Sequence, residues 1–245
     1  MKYTGISDKG LVRKNNEDFY AAKKIGDDFL MIVADGMGGH AMGEIASRTA
    51  VEYIMSILPK SMEKTRNPRE LEELLHRTIE KANVKVYLES LKNSDYRGMG
   101  TTLTICVLRE WRLFVSHIGD CRVYLLHGSH LNRLTTDHTL VGQMIESGLL
   151  SEKEAVDHPK RHVLTRSLGV NDYMTPDTAS FDIAEGDLIM VCTDGLYGYV
   201  KEREIKDILR KHRELDACCN QLVEAANREG GNDNVTVLLM HCDRE

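Results

Sequence analysis

The chain has 245 residues, 42% hydrophobic and 29% charged, with a formal net charge of −6. That size suits one large domain or two small ones with a real core, and the acidic balance excludes a general nucleic-acid-tracking surface. The longest apolar runs are about six residues, against the roughly 20 that a spanning helix needs, so no membrane partner is expected.

Met1-Lys2-Tyr3-Thr4-Gly5 leads into polar residues and shows no apolar leader segment, which reads as a soluble, cytoplasmic protein. Residues 2–7 and 18–23 read as strands around a polar loop, Asp8 to Glu17. Phe29-Leu30-Met31-Ile32-Val33-Ala34 is a strand buried on both faces, and it runs into Asp35-Gly36-Met37-Gly38-Gly39-His40, a tight glycine turn. Apolar residues at helical spacing follow from Glu44 to Leu58, where Pro59 stops the helix. Pro68 opens a second helix with its stripe at Leu71, Leu74, Leu75, Ile79, Ala82 and Val86.

Gly98-Met99-Gly100 begins a β-rich middle, with closely spaced strands at 101–108, 112–117 and 122–126, and the short link at Glu110-Trp111 suggests antiparallel hairpins. Residues 138–165 are less apolar, with a helix at 140–147 and a capping box at Ser151-Glu152-Lys153-Glu154; they read as an excursion over the surface. Strands resume at 179–183 and 188–193, two amphipathic helices follow near 202–211 and 215–228, and Val235–Met240 closes the chain. Paired helices with strands between them fit segregated layers, an α+β fold with two packed sheets covered by helix pairs. The six cysteines, at 106, 121, 192, 218, 219 and 242, form no Cys-x-x-Cys pair, and the default is buried reduced thiols.

Acidic residues recur where strands meet turns: Asp18, Asp35, Asp194 and Asp233. A core strand has no packing reason to end in a carboxylate, and Asp-Gly closes two of them, at Asp35 and Asp194. Each such dipeptide alone is equally a turn sequence. Gathered carboxylates repel unless protonated or neutralised by a cation. An all-oxygen set selects hard ions, magnesium or manganese, which can activate water and clamp a phosphoryl oxygen. The rival is a dinucleotide fingerprint, since Gly36-Met37-Gly38-Gly39-His40-Ala41 matches G-x-G-x-x-G/A. It fails on context: Asp35 would face the pyrophosphate, and the acid expected about 20 residues on falls inside a helix.

Seven ordered motifs carry a family resemblance: Arg13-Lys14-Asn15-Asn16-Glu17-Asp18, Asp35-Gly36-Met37-Gly38-Gly39-His40, Gly100-Thr101-Thr102, Gly119-Asp120-Cys121-Arg122, Leu164-Thr165-Arg166-Ser167-Leu168-Gly169, Thr193-Asp194-Gly195-Leu196 and Gly231-Asn232-Asp233-Asn234. From residue 5 to about 240 the chain resembles the metal-dependent protein phosphatases, the PPM or type 2C serine/threonine family, in its compact bacterial stand-alone form. The resemblance implies a four-layer α-β-β-α sandwich of two antiparallel sheets flanked by antiparallel helix pairs, in a single domain over 1–245 with a flap at about 138–165. It implies hydrolysis of phosphoserine and phosphothreonine in proteins by a metal-bridging hydroxide, without a phospho-enzyme.

The same resemblance assigns residues. Asp35 bridges two Mn²⁺ or Mg²⁺ ions and Gly36 lends a backbone carbonyl. Asp194 and Asp233 complete the first ion's ligands, and Asp18, with Glu17 behind it, holds the second largely through water. Asp120 contributes to a third ion together with Asp194, Asn234 supports the site, and Arg13 grips the substrate phosphate. His40 is the candidate general acid, offset from the histidine that many eukaryotic relatives carry directly after the first Asp-Gly. The implied partners are phosphorylated proteins, serine/threonine kinases and their substrates, acted on by a monomer.

Two departures stand out. Cys121 replaces the family's usual serine, where a small thiol fits but bonds more weakly, and His162 takes the place of an asparagine. His158 and His162 have the i, i+4 spacing of a helical metal site, but Pro159 argues against that helix. Two other functions remain open: a non-catalytic phosphoprotein-binding or regulatory module on the same fold, and a phosphatase for a small phosphorylated metabolite.

Overall fold

The computed structural model describes residues 1–38, 41–155, 158–211 and 214–243. Strands β1 (Lys2–Asp8), β2 (Asp18–Ile25) and β3 (Asp28–Met37) precede helices α1 (Ala41–Met62) and α2 (Pro68–Ser90). A 3₁₀ turn leads to β4 (Gly100–Thr101), β5 (Leu103–Arg109), β6 (Arg112–Ile118), β7 (Arg122–His127) and β8 (His130–Arg133). Short helices α3 (Leu140–Glu146) and α4 (Glu152–Ala155) come before β9 (Asp177–Asp182) and β10 (Asp187–Cys192). The chain closes with α5 (Asp194–Tyr197), α6 (Glu202–Lys211), α7 (Leu215–Arg228) and β11 (Val235–Cys242).

One sheet has the order β1-β11-β10-β7-β8; the other has β2-β3-β5-β6-β9, with β4 on the end of β3. Every pairing is antiparallel. Strand alternation explains the layering, because successive side chains point to opposite faces. On β3, Leu30, Ile32 and Ala34 pack under α1 and α2, while Phe29, Met31 and Val33 meet the other sheet. On β10, Met190 and Cys192 pack under α6 and α7, while Ile189 and Val191 face β3 across the sandwich. Three apolar interfaces therefore hold four layers, in the α-β-β-α order expected from the sequence.

Two local expectations change. Pro59 does not stop α1, which runs to Met62. A proline inside a helix loses one backbone bond, at a cost of about 3 kcal/mol. Here Leu58 and Met62, four apart and both fully buried, draw the last turn onto the core. The hairpin expectation holds for β5 and β6, where Glu110 (φ 49°) and Trp111 (φ 62°) make the left-handed turn that matches strand twist. It does not hold for β6 and β7, which lie in different sheets, so Gly119-Asp120-Cys121 is the crossing between them. At Gly119 φ is +100°, and a Cβ would stand 2.5 Å from Thr102. Strand β8 and helix α5 are additions.

Candidate active site

The inter-sheet face turns acidic at one end of the sandwich. Asp35 continues the row Phe29-Met31-Val33 along β3, and Asp18 on β2 stands directly opposite it in register. Opposed residues of an antiparallel pair share a face, and like charges there repel. From the facing sheet, Thr193 continues Ile189 and Val191, and Thr236 precedes Leu238 and Met240. Their hydroxyls donate to Asp18 Oδ2 at 2.9 and 2.7 Å. Asp194 opens α5, Asp233 precedes β11 and Asp120 sits in the crossing.

A cavity of about 750 Å³ opens onto this end, lined by Arg13, Glu17, Asp35, Asp120, Asp194 and Asp233, with Gly36, Thr102, His162 and Asn234 among its other walls. Asp18 is not on that lining but on that of a separate pocket with Lys14, Asn16 and Arg48, whereas Glu17 lines this one. Asn234 ties the two sides together. Its Oδ1 accepts from Glu17 N at 2.8 Å, and its Nδ2 donates to Lys9 O and Asn15 O at 2.9 Å.

The carboxylates are in electrostatic conflict. Burial, then Asp18, Asp194 and Asp120, push Asp35 well above the ordinary carboxylate range. Burial followed by Asp194 does the same to Asp120. Burial raises Asp18 to about 7 even though two threonine hydroxyls favour its charged form. Asp233 is raised by burial and Asp194, less so because Arg13 lies beside it.

Arg13 donates from Nη2 to Asp233 Oδ2 at 2.8 Å and from Nε to Asn232 O at 3.2 Å. These contacts fix the plane of a group that carries five donors. Burial disfavours its charge, and Asp233 more than restores it.

Backbone clamps hold Asp35. Thr102 N donates to Asp35 O at 2.8 Å, and Asp35 N donates to Thr102 Oγ1 at 2.8 Å. Thr101 Oγ1 also donates to Asp35 O, at 2.9 Å. The sequence marked Gly100-Thr101-Thr102 as a motif without showing this role. Cys121 is buried with Sγ 3.1 Å from Thr102 Oγ1, so the thiol keeps a partner in the serine's place.

Asp120 is held from two directions. Tyr197 Oη donates to Asp120 O at 2.8 Å, beneath the Arg122 guanidinium, 3.5 Å above the Tyr197 ring centroid. On the other side, Gly119 N donates to His138 Nδ1 at 3.1 Å and His138 N donates to Gly119 O at 2.8 Å. With Nδ1 accepting, the ring proton lies on Nε2 and is donated to Asp177 Oδ2 at 3.0 Å. Arg166 Nη1 donates to Asp177 Oδ1 at 2.7 Å. Neither His138 nor Asp177 stood out in the sequence, where no local pattern marks them.

His158 and His162 do not converge. His158 Nδ1 accepts from Lys160 N within its own turn, whereas His162 Nδ1 lies 3.2 Å from Asp194 Oδ2. His40 lies outside the described residues.

The donor chemistry fits hard divalent cations: carboxylates around one cavity, with Gly36 on its lining and repulsion that bound positive charge would relieve. Among the described residues no three His, Cys, Asp or Glu side chains close into a ready-made cage for one ion.

A four-layer sandwich with an acidic cavity at the sheet ends defines a class of hydrolytic fold, and relatives specify it further. The sequence profile of the protein phosphatase 2C family matches residues 12–240, and the chain belongs to that family. Serine/threonine phosphatase stp of Listeria monocytogenes serotype 4b is 36% identical over 238 residues, covering 97% of this chain and 94% of its own. Protein phosphatase PhpP of Streptococcus pneumoniae is 34% identical over 247 residues, covering 100% and 99%.

The crystal structure of the Mycobacterium tuberculosis serine/threonine phosphatase PstP/Ppp superposes with a TM-score of 0.89 at 33% identity, covering 99% of both chains. A structure of the catalytic domain of PstP in complex with 2 manganese ions gives 0.84 at 33% identity, covering 97% and 96%. The chain is a protein serine/threonine phosphatase. A non-catalytic module and a metabolite phosphatase are not favoured.

Proposed function

We propose that Asp35, Gly36, Asp194, Asp233 and Asp120 hold manganese or magnesium, two ions in the core of the site and a third near Asp120; Asp18, off the cavity lining, acts on the second ion only through water, with Glu17 on the lining beside it. One observation carries this: buried and half-buried carboxylates meet in a single cavity, raised by burial and then by one another, with Arg13 and Arg166 as cations on its lining. Two hard ions held there would supply the missing positive charge, lower the pKa of water and neutralise charge on a phosphoryl group.

The residues take separate parts in the hydrolysis. Arg13 binds the substrate phosphate, because a planar guanidinium can pair with two phosphoryl oxygens and stays charged while they gain charge. Its contact with Asp233 aims it at the cavity. Glu17 and Asn234 hold the loop that carries Arg13 against the acids. Thr101 and Thr102 keep Asp35 fixed.

Water attacks phosphorus directly, without a covalent enzyme intermediate. Cys121 is no competing nucleophile, since burial, then Asp35, keeps its thiol protonated far above the usual range. The serine or threonine oxygen leaves with a proton, a general-acid contribution of roughly 10²–10⁴-fold. His40 is assigned that proton on the motif alone.

The substrates are phosphoproteins of serine/threonine kinases, dephosphorylated by a cytoplasmic monomer with one domain over 1–245. Residues 138–165 act as a flap that tunes substrate choice. Among the described residues no helix is long and apolar enough to cross a membrane. The test is hydrolysis of a phosphothreonine peptide with manganese, with EDTA, and with manganese restored. Activity should vanish and return; activity that ignores the chelator overturns the metal assignment.

A further inference from the structure

One wall of the cavity has a chemistry unlike its acidic floor. Leu164, Val170, Tyr173 and Met174 line it, and Val170 and Tyr173 remain 44% and 72% exposed. Exposed apolar side chains at a loop tip are ordinary, but this segment is anchored at many points. Leu168 N donates to Thr101 O at 2.8 Å and Thr101 N to Leu168 O at 3.1 Å. Asn83 reaches from α2, fully buried, to accept from Gly169 N at 2.8 Å and donate to Asn171 O at 2.9 Å.

Gly169, at φ +84°, presses so close to α2 that a Cβ would stand 2.5 Å from Val86 Cγ1. Arg166 Nη1 donates to Thr175 O at 3.3 Å and to Asp177. Tyr173 Oη accepts from Thr175 Oγ1 at 3.1 Å, which pins the ring itself. A fixed backbone therefore presents an aromatic and a branched aliphatic side chain to solvent at the edge of the phosphate cavity. Such a surface loses little entropy on docking, and tyrosine offers large contact area with few torsions to freeze.

We propose that this wall docks the polypeptide around the phosphorylated residue and selects an apolar or aromatic side chain next to it. Continuity argues for that occupant: Val170 and Tyr173 line the same cavity as Arg13 and the acids, so a phosphorylated side chain reaching the floor carries its flanking residues along this wall. The proposal rests on the phosphatase reading and narrows the substrate class to phosphoprotein segments with an apolar flank.

Three substrates test it with manganese present: a phosphothreonine peptide with leucine beside the phosphorylated residue, the same peptide with aspartate there, and p-nitrophenyl phosphate. The wild-type enzyme should favour the leucine peptide by about tenfold in kcat/KM, the low end for an apolar contact in a specificity pocket. Tyr173→Ala and Val170→Asp should bring that ratio close to one, and Tyr173→Phe should keep it. Equal kcat/KM for the two peptides in the wild type overturns the proposal, whatever the variants do. A preference that survives both Tyr173→Ala and Val170→Asp overturns the assignment to this wall. The aryl phosphate separates the two levels: its hydrolysis without peptide discrimination removes the docking surface alone, and failure on all three substrates removes the phosphatase reading beneath it.

Discussion

Asp35-Gly36 stays inside a strand, with Gly36 paired to Thr101, whereas Asp194-Gly195 opens a four-residue helix after β10. The dipeptide is the same and the backbone is not, yet neither glycine has a positive φ. What they share is crowding. A Cβ on Gly36 would stand 2.1 Å from Gly43 O and 2.6 Å from Glu17 O. On Gly195 it would stand 1.9 Å from Asn234 O. Each glycine admits a second stretch of backbone, and each stretch brings acids: Glu17 and Asp18 to Asp35, Asp233 to Asp194. The residue after the aspartate is thus a packing device, not the turn that the sequence suggested.

Substituting the acids themselves should give the largest effect. Asp35→Asn or Asp233→Asn should lower phosphopeptide turnover by about 10³-fold or more under saturating manganese, with the fold intact by circular dichroism. Near-normal rates in either would break the equivalence of the two sides. Next come the glycines. Gly36→Ala and Gly195→Ala should each cost about 3 kcal/mol in denaturant unfolding, since the clashes are with backbone that cannot step aside. Gly128→Ala, left-handed but with open space around it, should cost only about 1 kcal/mol. Equal losses at all three positions would mean that crowding is not the reason for glycine.

The Asp35 side also leans on a buried histidine pair. His117 Nδ1 lies 2.9 Å from Thr104 Oγ1 and Nε2 lies 3.2 Å from Thr136 O, with its ring 4.8 Å from His138. Burial, then His138, hold His117 down to about 3. Above pH 7.5 it is neutral folded or unfolded. As pH falls below about 6.5 the unfolded chain takes a proton that the folded chain refuses, so stability drops until about pH 3. At pH 5 that linkage amounts to about 2 kcal/mol. Between pH 7.5 and pH 5 the wild type should change by about 2 kcal/mol more toward instability than His117→Gln, because the raised carboxylates, whose linkage has the opposite sign, titrate alike in both; equal changes would place the acid sensitivity elsewhere.

The smallest effect belongs to the other side alone. Arg13→Ala should raise KM for a phosphopeptide about tenfold with a lesser change in kcat, as loss of phosphate binding requires. An unchanged KM would leave Arg13 as a partner of Asp233 only.

Much of this was legible in the sequence because strand burial and strand-end acids are local signals. The run Phe29–Ala34 implied a strand covered on both faces, and it is one. Other features are set across the sandwich. Nothing near Thr193 or Thr236 says that their hydroxyls meet on Asp18, because that depends on the register of β2, β10 and β11. Glu17 lines the cavity and Asp18 a separate pocket, a difference that a two-residue motif does not carry. Pro59 was a sound stop signal overridden by Leu58 and Met62. Strand β8 is mostly exposed and polar, and α5 is a single turn, so neither has a periodicity to detect. The apolar wall at Val170 and Tyr173 gains meaning only from the cavity beside it.

Manganese binding to the wild type and to Asp35→Asn, followed by titration calorimetry, tests whether Asp35 holds the metal pair. Under the proposed assignment the wild type should bind two equivalents tightly per chain, any third more weakly, and the variant should lose the tight pair, since Asp35 would help to hold both. Two equivalents bound equally well by Asp35→Asn would contradict it.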